Sequence, residues 1–567
     1  MVGAPIPGRE AGERASLVGG APAPRCYDPA LMRTAVDDDL DGPAEGDGVT
    51  AETTDGARPA GAGRHVPARL GDAALVGAVV VGVALRFVQR SPLWLDEALS
   101  VNIARLPVGD LLDALRHDGH PPLYYLLLHG WMQVVGESDV AVRALSGIFS
   151  VAALPLAWIA GGRLAGRTGA RWALAVAALS PFMVRYGTET RMYSLVMLLV
   201  LGGYLVLTDA LERPTWLRLG ALTVISGLLL LSHYWAFYLL AAVGLLLVVR
   251  AWRRPDERST TVKVIAAVAA GALLFLPWIG GFLYQSAHTG TPWGQPFRPT
   301  AIVQTALMDM GGGTVTEANL YASVLLVLLL LALFTVRSGG RRVDLDVRTA
   351  PTVRWELAVA TLVLVIGAVV GYATNATFQG RYAATIVPLV LVAAAVGLTR
   401  VPGGARLVAA GAYFALALFG LGWVNYFQRT QSADVAAAVA ERAEPGDVVV
   451  YCPDQLGPAY SREMPDDLVE MAYPTLGPPD RVDWVDYAER NGAVDPAAVA
   501  RDIEDAAEGH AIFLVWMSEY STFGTQCEDL VNELGLTENL VVQDESLYFE
   551  PAFLHWRPAG TPAPAGG

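Results

Sequence analysis

Charge is scarce in this chain. Only 17% of its 567 residues are Asp, Glu, Lys or Arg, against 53% hydrophobic, and the mean hydropathy is +0.39. A chain of this length cannot hold so little charge and be soluble throughout, because a fully water-facing surface needs more polar groups. Lysine is nearly missing: Lys263 stands alone, and every other strongly basic side chain is an arginine, a bias of coding composition more than of function. Cysteine is sparse too, at Cys26, Cys452 and Cys527, and no His/Cys spacing typical of structural zinc is present. Gly311-Gly312-Gly313 has no strand before it and no Gly-Lys-Ser/Thr after it, so it is not a nucleotide cradle. No nucleic acid partner is expected. The chain does not open on a basic stretch followed by a short apolar core, so no cleaved signal peptide is expected and the first span serves as the targeting signal.

What remains is a polytopic membrane protein. Apolar segments of spanning length fall at about 71–89, 141–162, 172–186, 192–211, 217–232, 234–250, 262–281, 319–336, 356–373, 382–399 and 406–424. The net charge of -15 hides an alternation, because acid is concentrated in the two ends. Arginines cluster at 163–171, 213–218, 250–258, 337–354 and 400–406, and all lie on one side if about eleven spans start from a cytoplasmic N-terminus. Residues 122–136 are apolar but short and contain His129, so they are expected to form an interfacial or re-entrant helix. Residues 1–68 have no apolar period and read as a disordered cytoplasmic tail.

On this count the external face collects the groups that carry chemistry. Asp96 and Glu97 follow the first span, and His120-Pro121-Pro122-Leu123 lies in the same loop, 90–140. The stretch Arg185 to Arg191, which includes Glu189, the His233-Tyr234-Trp235 corner and Gly380-Arg381-Tyr382 reach the same side. Ionisable residues concentrated at one membrane face point to a site. Tyr186, Tyr193, Tyr234, Trp235, Trp293 and Tyr382 can stack on a sugar or on the isoprenoid of a lipid, or simply form the aromatic belt usual at this depth.

After about residue 430 the composition becomes that of a soluble domain. Ala433–Ala443 reads as a helix, Val448–Tyr451, Ile512–Trp516 and Leu540–Val542 as strands, and Glu528–Leu534 as a second helix, which together make a small α/β domain over 430–558 with a loose tail at 559–567. An odd number of spans places this domain outside, where Cys452 and Cys527 either pair or remain two buried thiols.

The acidic pair after the first span, the later His-Pro-Pro-Leu, the Arg-Tyr-x-x-Glu-x-Arg-x-Tyr turn and the late Gly-Arg-Tyr together resemble the GT-C superfamily of membrane glycosyltransferases. Within it, the chain is similar to the protein O-mannosyltransferase and lipid A aminoarabinose transferase branch, over roughly 70–425. That resemblance implies a helical membrane domain with an extracytoplasmic α/β domain, in a bacterial cytoplasmic membrane. It also implies transfer of one sugar, most simply mannose, from a polyprenyl-phosphate donor to a protein, glycan or lipid acceptor. Asp96 matches the family's loop aspartate, Glu97 its following acid, and Arg381-Tyr382 the pair associated with the carrier phosphate. Relatives often place an aspartate after the second-loop arginine, whereas Arg191 is followed by Met192-Tyr193-Ser194 and the available acid is Glu189.

Transfer to a hydroxyl requires a base, and adjacent, partly desolvated carboxylates raise the pKa of one of the two, which suits that task. Asp96 takes this role, or else Asp96, Glu97 and His120 hold Mg²⁺ or Mn²⁺ against the phosphate. Arg381, with Arg191 and Arg185 behind it, stabilises the departing phosphate, and His120, Glu189, His233 and Tyr382 complete the substrate site. The rival reading is a transporter or lipid flippase with an external polar gate, but no internal repeat or midplane polar site is evident.

Overall fold

The computed structural model describes residues 68–561, apart from 292–297, 314, 340–341, 347, 350–351, 519, 537 and 540–547. The expected N-terminal tail, Trp293 and the strand Leu540–Val542 lie outside the described residues.

Apolar runs become helices where expected. Helix α1 (Ala68–Leu85) leads into three shorter ones, α2 (Leu95–Ala104), α3 (Val108–Asp118) and α4 (Leu123–Val135). At 13 residues α4 is too short to span a membrane, because a crossing needs about 20. Next comes α5 (Asp139–Ala178), a 40-residue stretch whose backbone leaves the helix at Ala165 and Gly166, the latter at φ 61°. The chain reverses there, and Gly161 and Gly169 meet so closely that a Cβ on Gly161 would sit 2.6 Å from the Gly169 oxygen. The two arms correspond to the segments expected at 141–162 and 172–186. The second arm stops early, at Ala178, because Ser180 caps a new helix, α6 (Pro181–Arg185), accepting from the Met183 amide.

Helices α7 (Tyr193–Glu212), α8 (Trp216–Ser232), α9 (Trp235–Arg253), α10 (Pro255–His288), α11 (Ala301–Met310), α12 (Thr316–Phe334), α13 (Arg354–Thr374), α14 (Val387–Arg400) and α15 (Gly403–Tyr426) complete the bundle. Among the described residues seven helices are long and apolar enough to cross a membrane: α5, α7, α9, α10, α12, α13 and α15. Helices α8 and α14 are apolar but shorter. Helix α14 is buried from Val387 to Leu398, as an all-round apolar sequence requires. It lies against α5 and α12, where a Cβ on Gly397 would strike the Leu328 oxygen at 2.1 Å. Helix α11 falls inside the long loop that was expected at 282–318.

The arginine clusters gather at one end of the bundle. Arg171 pairs with Asp72 of α1, Arg163 with Asp209 of α7 at 2.7 Å, and Arg400 bonds Thr352. The loops that follow α1, α3, α6, α8 and α13 meet at the other end.

A strand hairpin, β1 (Thr335–Gly339) and β2 (Arg342–Leu345), follows α12. Beyond α15, β3 (Gln428–Thr430) leads into an α/β unit with strands β4 (Val448–Cys452), β5 (Val469–Ala472), β6 (Ile512–Trp516), β7 (Glu538–Asn539), β8 (Tyr548–Glu550) and β9 (Phe553–Arg557). The sheet order is β5-β4-β6-β9-β7, with β4 parallel to both β5 and β6 and with β9 antiparallel to both its neighbours. Every residue of β4 and β6 is buried, which explains their uninterrupted Val, Ile, Phe and Leu. Cys452 and Cys527 form a disulfide, the first of the two alternatives. Strand β3 pairs in parallel with β8 and sits at the junction with the bundle.

Candidate active site

Helix α2 carries Asp96 and Glu97 in its first turn, where unpaired amides favour acids. Neighbours on a helix point about 100° apart, and these two go to different places. Glu97 is fully buried: Oε1 accepts from Arg143 Nε at 2.8 Å and from the Thr190 amide at 3.0 Å, and Oε2 accepts from Arg143 Nη2 at 2.6 Å with Arg429 Nη1 at 3.1 Å. Burial alone would raise its pKa, but the two guanidiniums overcome this and hold it at about 2. Glu97 was expected as a catalytic acid and metal ligand. The structure corrects this, since both oxygens are occupied and the side chain anchors the loop to Arg143 and Arg429.

Asp96 faces a cavity of about 300 Å³ at the end of the bundle opposite the arginine clusters. Its Oδ2 lies 3.3 Å from Arg381 Nη1 and 3.9 Å from Arg191 Nε. Arg381 sits in the turn Gly380–Thr385, stacked over the Trp94 ring at 5.7 Å. Gly380 lets this turn approach α11, because a Cβ there would lie 2.5 Å from the Asp309 Cβ.

Arg191 is held by its surroundings. Its Nη1 donates to Ser100 Oγ at 3.0 Å, Tyr125 Oη at 3.1 Å and the Asp96 carbonyl at 3.3 Å, and Nη2 donates to His120 Nε2 at 2.9 Å. A guanidinium only donates, so Nε2 accepts and Nδ1 is left to donate to Asp118 Oδ2, at 2.9 Å. Tyr125 donates to the same Asp118 oxygen at 2.7 Å. Burial would raise the Asp118 pKa, but His120, Arg191 and Tyr125 together lower it below the ordinary value. Gly119 takes φ +84° just before His120, with Thr289 3.1 Å from where its Cβ would be.

Both ring nitrogens of His120 are therefore engaged, as are both oxygens of Glu97, and the set Asp96, Glu97 and His120 expected around Mg²⁺ or Mn²⁺ does not assemble. Among the described residues no group of three or more His, Cys, Asp or Glu side chains can hold a metal ion. The residues present do not fit that cation.

Of the remaining predicted residues, Arg191, His120, Arg381 and Tyr382 line the cavity with Asp96. His233 does not; it packs behind, its ring 5.5 Å from Tyr382 and 5.8 Å from Tyr193. Glu189 is also set back, fully buried 3.6 Å from Arg185, where burial raises its carboxyl above the usual range against that arginine's pull.

Several wall residues left no local signal in the sequence. Asp118 belongs to an ordinary helix end, and Trp484 and Tyr520 come from the α/β unit. Trp484 arrives on a segment docked against the bundle: its amide donates to the His117 carbonyl at 3.0 Å, Asp486 N donates to the His288 carbonyl at 2.9 Å, and Asn102 Nδ2 donates to the Asp480 carbonyl at 2.7 Å. His117 pairs with Asp483 at 2.8 Å and His288 with Asp486 at 3.0 Å, which completes the clasp. Glu550 of β8, also from this unit, hydrogen-bonds the Leu95 amide and the Thr430 side chain, capping the helix that carries Asp96. One carboxylate facing two fixed guanidiniums across an aromatic-walled cavity can take a proton from a nucleophile and stabilise a departing anion in one place.

Residues 119–280 match the family model described as Dolichyl-phosphate-mannose-protein mannosyltransferase. ArnT from Cupriavidus metallidurans bound to undecaprenyl phosphate is 13% identical with a TM-score of 0.54, over 86% of this chain and 97% of that one. The apo state of the same enzyme is 12% identical with a TM-score of 0.53, over 86% and 98%. No curated protein matches the chain. The segment matched by the family model contains His120, Glu189, Arg191 and His233, and the chain shares its fold with ArnT over nearly the whole of that enzyme's length.

Proposed function

We propose that this enzyme transfers a single sugar, most simply mannose, from a polyprenyl-phosphate donor to a hydroxyl of an acceptor, with inversion at the anomeric carbon. The observation that carries this reading is the placing of Asp96 within 4 Å of both Arg381 and Arg191 at the wall of one cavity. The acceptor hydroxyl gives its proton to the Asp96 carboxylate as its oxygen attacks C1 of the sugar. The bond from C1 to the phosphate oxygen breaks on the opposite face, and the lipid phosphate leaves with the bonding electrons, stabilised by the guanidiniums. Tyr382 and Trp94 offer ring faces for the sugar or the first isoprene units. ArnT was solved with undecaprenyl phosphate, which supports a carrier of that chemistry here.

The topology that goes with this reading puts the N-terminus and the arginine-rich end in the cytoplasm. The cavity and the α/β domain, 430–558, then lie outside a bacterial cytoplasmic membrane. The Cys452–Cys527 disulfide supports that placement, since such bonds persist in oxidising compartments. A protein hydroxyl is the acceptor class favoured by the family match, with a cell-wall glycan or lipid as the alternatives.

The test is transfer from radiolabelled polyprenyl-phosphate mannose in membranes containing either the wild-type chain or Asp96→Asn at matched expression. Transfer by the wild type that disappears in the variant supports the reading. Equal transfer by both removes Asp96 from the mechanism, and no transfer by either counts against mannose.

A further inference from the structure

A second cavity, of about 330 Å³, opens between α7, α8, α9 and α13, in the half of the bundle nearer the arginine clusters. Its walls are almost wholly aliphatic, running from Val200 near the middle of the bundle down to Leu211 and Leu247. At the lower end the character changes. Glu356, in the first turn of α13, lines the cavity and is only 7% exposed. One of its oxygens accepts from Tyr204 at 2.8 Å, and the other is buried with no hydrogen-bond partner. Two charged side chains share that end: Glu212, exposed at the last residue of α7, and Arg250, which pairs with Glu257 and keeps a buried Nε–H without a partner.

A buried carboxylate oxygen left unpaired is costly, and a donor arriving with a ligand removes the cost. Aliphatic walls exclude a polar solute from the rest of the space, so the donor must be attached to a long apolar body. The charges also constrain the headgroup: carboxylates at Glu356 and Glu212 suit a cation that has N–H groups, and Arg250 suits a neighbouring phosphate. The polar end lies where the helices terminate, at the depth of lipid headgroups, with the apolar part leading toward the midplane.

We infer that this cavity is a binding site for an amine-bearing phospholipid, its ammonium on Glu356 and Glu212, its phosphate at Arg250 and an acyl chain between α7, α8 and α9. The site lies at the opposite end of the bundle from Asp96, and the inference does not depend on the donor or acceptor assigned above. A primary ammonium is required, because a choline headgroup has no N–H to give the free Glu356 oxygen.

The experiment uses the purified full chain in detergent with added phosphatidylethanolamine, phosphatidylcholine or phosphatidylglycerol, read by lipid retained in native mass spectrometry and by the shift in Tm. A lipid that binds the folded state selectively raises Tm. Phosphatidylethanolamine should be retained and should raise Tm, the other two should do neither, and Glu356→Gln should weaken retention about tenfold, the loss expected for one charge-assisted bond. Ile225→Trp fills the cavity without touching Glu356 and should abolish retention, which keeps the test meaningful if the Gln variant unfolds. Equal retention of phosphatidylcholine, undiminished retention in both variants, or displacement of the lipid by undecaprenyl phosphate would each overturn the proposal.

Discussion

Arg429, on the strand that leaves the last apolar helix, lies 3.1 Å from Glu97, the acid beside the candidate base. Both side chains are essentially unexposed, and Arg429 also bonds Thr188 through its carbonyl and hydroxyl. The start of the α/β unit is thereby tied to two loops of the site at once.

Breaking a buried pair leaves an uncompensated charge, so Arg429→Met should cost about 3–5 kcal/mol of stability, whereas Arg105→Met, which removes an exposed pair with Glu137, should cost under about 1 kcal/mol. Thermal unfolding in detergent reports both. Comparable losses in the two variants would contradict the anchoring role.

The same pair sets a pH dependence. Glu97 titrates at about 2 in the fold against an ordinary 4.5, so its stabilisation is complete above pH 4.5 and is lost as the pH falls toward 2. Unfolding of the wild type and of Glu97→Gln compared from pH 6 to pH 3 should show their gap narrowing below 4.5. A gap independent of pH would mean that Glu97 is not ionised in the fold.

Glu550 behaves in the opposite sense. Burial and the nearby Asp96 push its carboxyl up to about 8, despite the opposing bonds from Thr430 and Leu95. Its folded-state pKa is raised, so the protonated fold loses stability relative to the ionised unfolded chain as the pH climbs from 4.5 to 8, and no further change follows above that. Glu550→Gln keeps a neutral capping oxygen and should gain on the wild type across that window, as read by Tm. Equal slopes in the two proteins would place the titration elsewhere.

Arg381→Ala should lower sugar transfer at least about tenfold through loss of a charge-assisted contact to the departing phosphate, with a smaller effect for Arg381→Lys. Steady-state transfer with lipid donor varied separates this from misfolding. Normal transfer by a well-expressed alanine variant would remove Arg381 from the site.

Trp484 reaches the cavity from the α/β unit, and Trp484→Ala opens that wall while leaving Asp96, Arg191 and Arg381 in place. Acceptor KM should rise with donor KM little changed, as kinetics with each substrate varied would show. A donor-only effect would assign this wall to the carrier.

Membrane character and the order of the apolar helices were legible in the residues alone, because a lipid-facing helix must be apolar for its whole length and arginines collect at one set of its ends. The hairpin at Ala165–Gly166 was visible as a break with arginines around it. The gathering of Asp96, Arg191 and Arg381 was foreseen from loop order and the family resemblance. What their neighbours do was decided by the tertiary structure. Asp96 and Glu97 are adjacent in the chain, and only helical rotation together with the distant Arg143 and Arg429 sends one to the cavity and the other to an ion pair. His120 lost its metal role because Arg191 and Asp118, from separate segments, occupy both its nitrogens. Trp484, Tyr520 and Glu550 joined the site through folding of a unit whose local sequence says only that it makes strands and helices. Periodicity and hydropathy are local and survive in a string of letters; hydrogen bonds and ion pairs between distant segments depend on which surfaces meet when the apolar faces are buried.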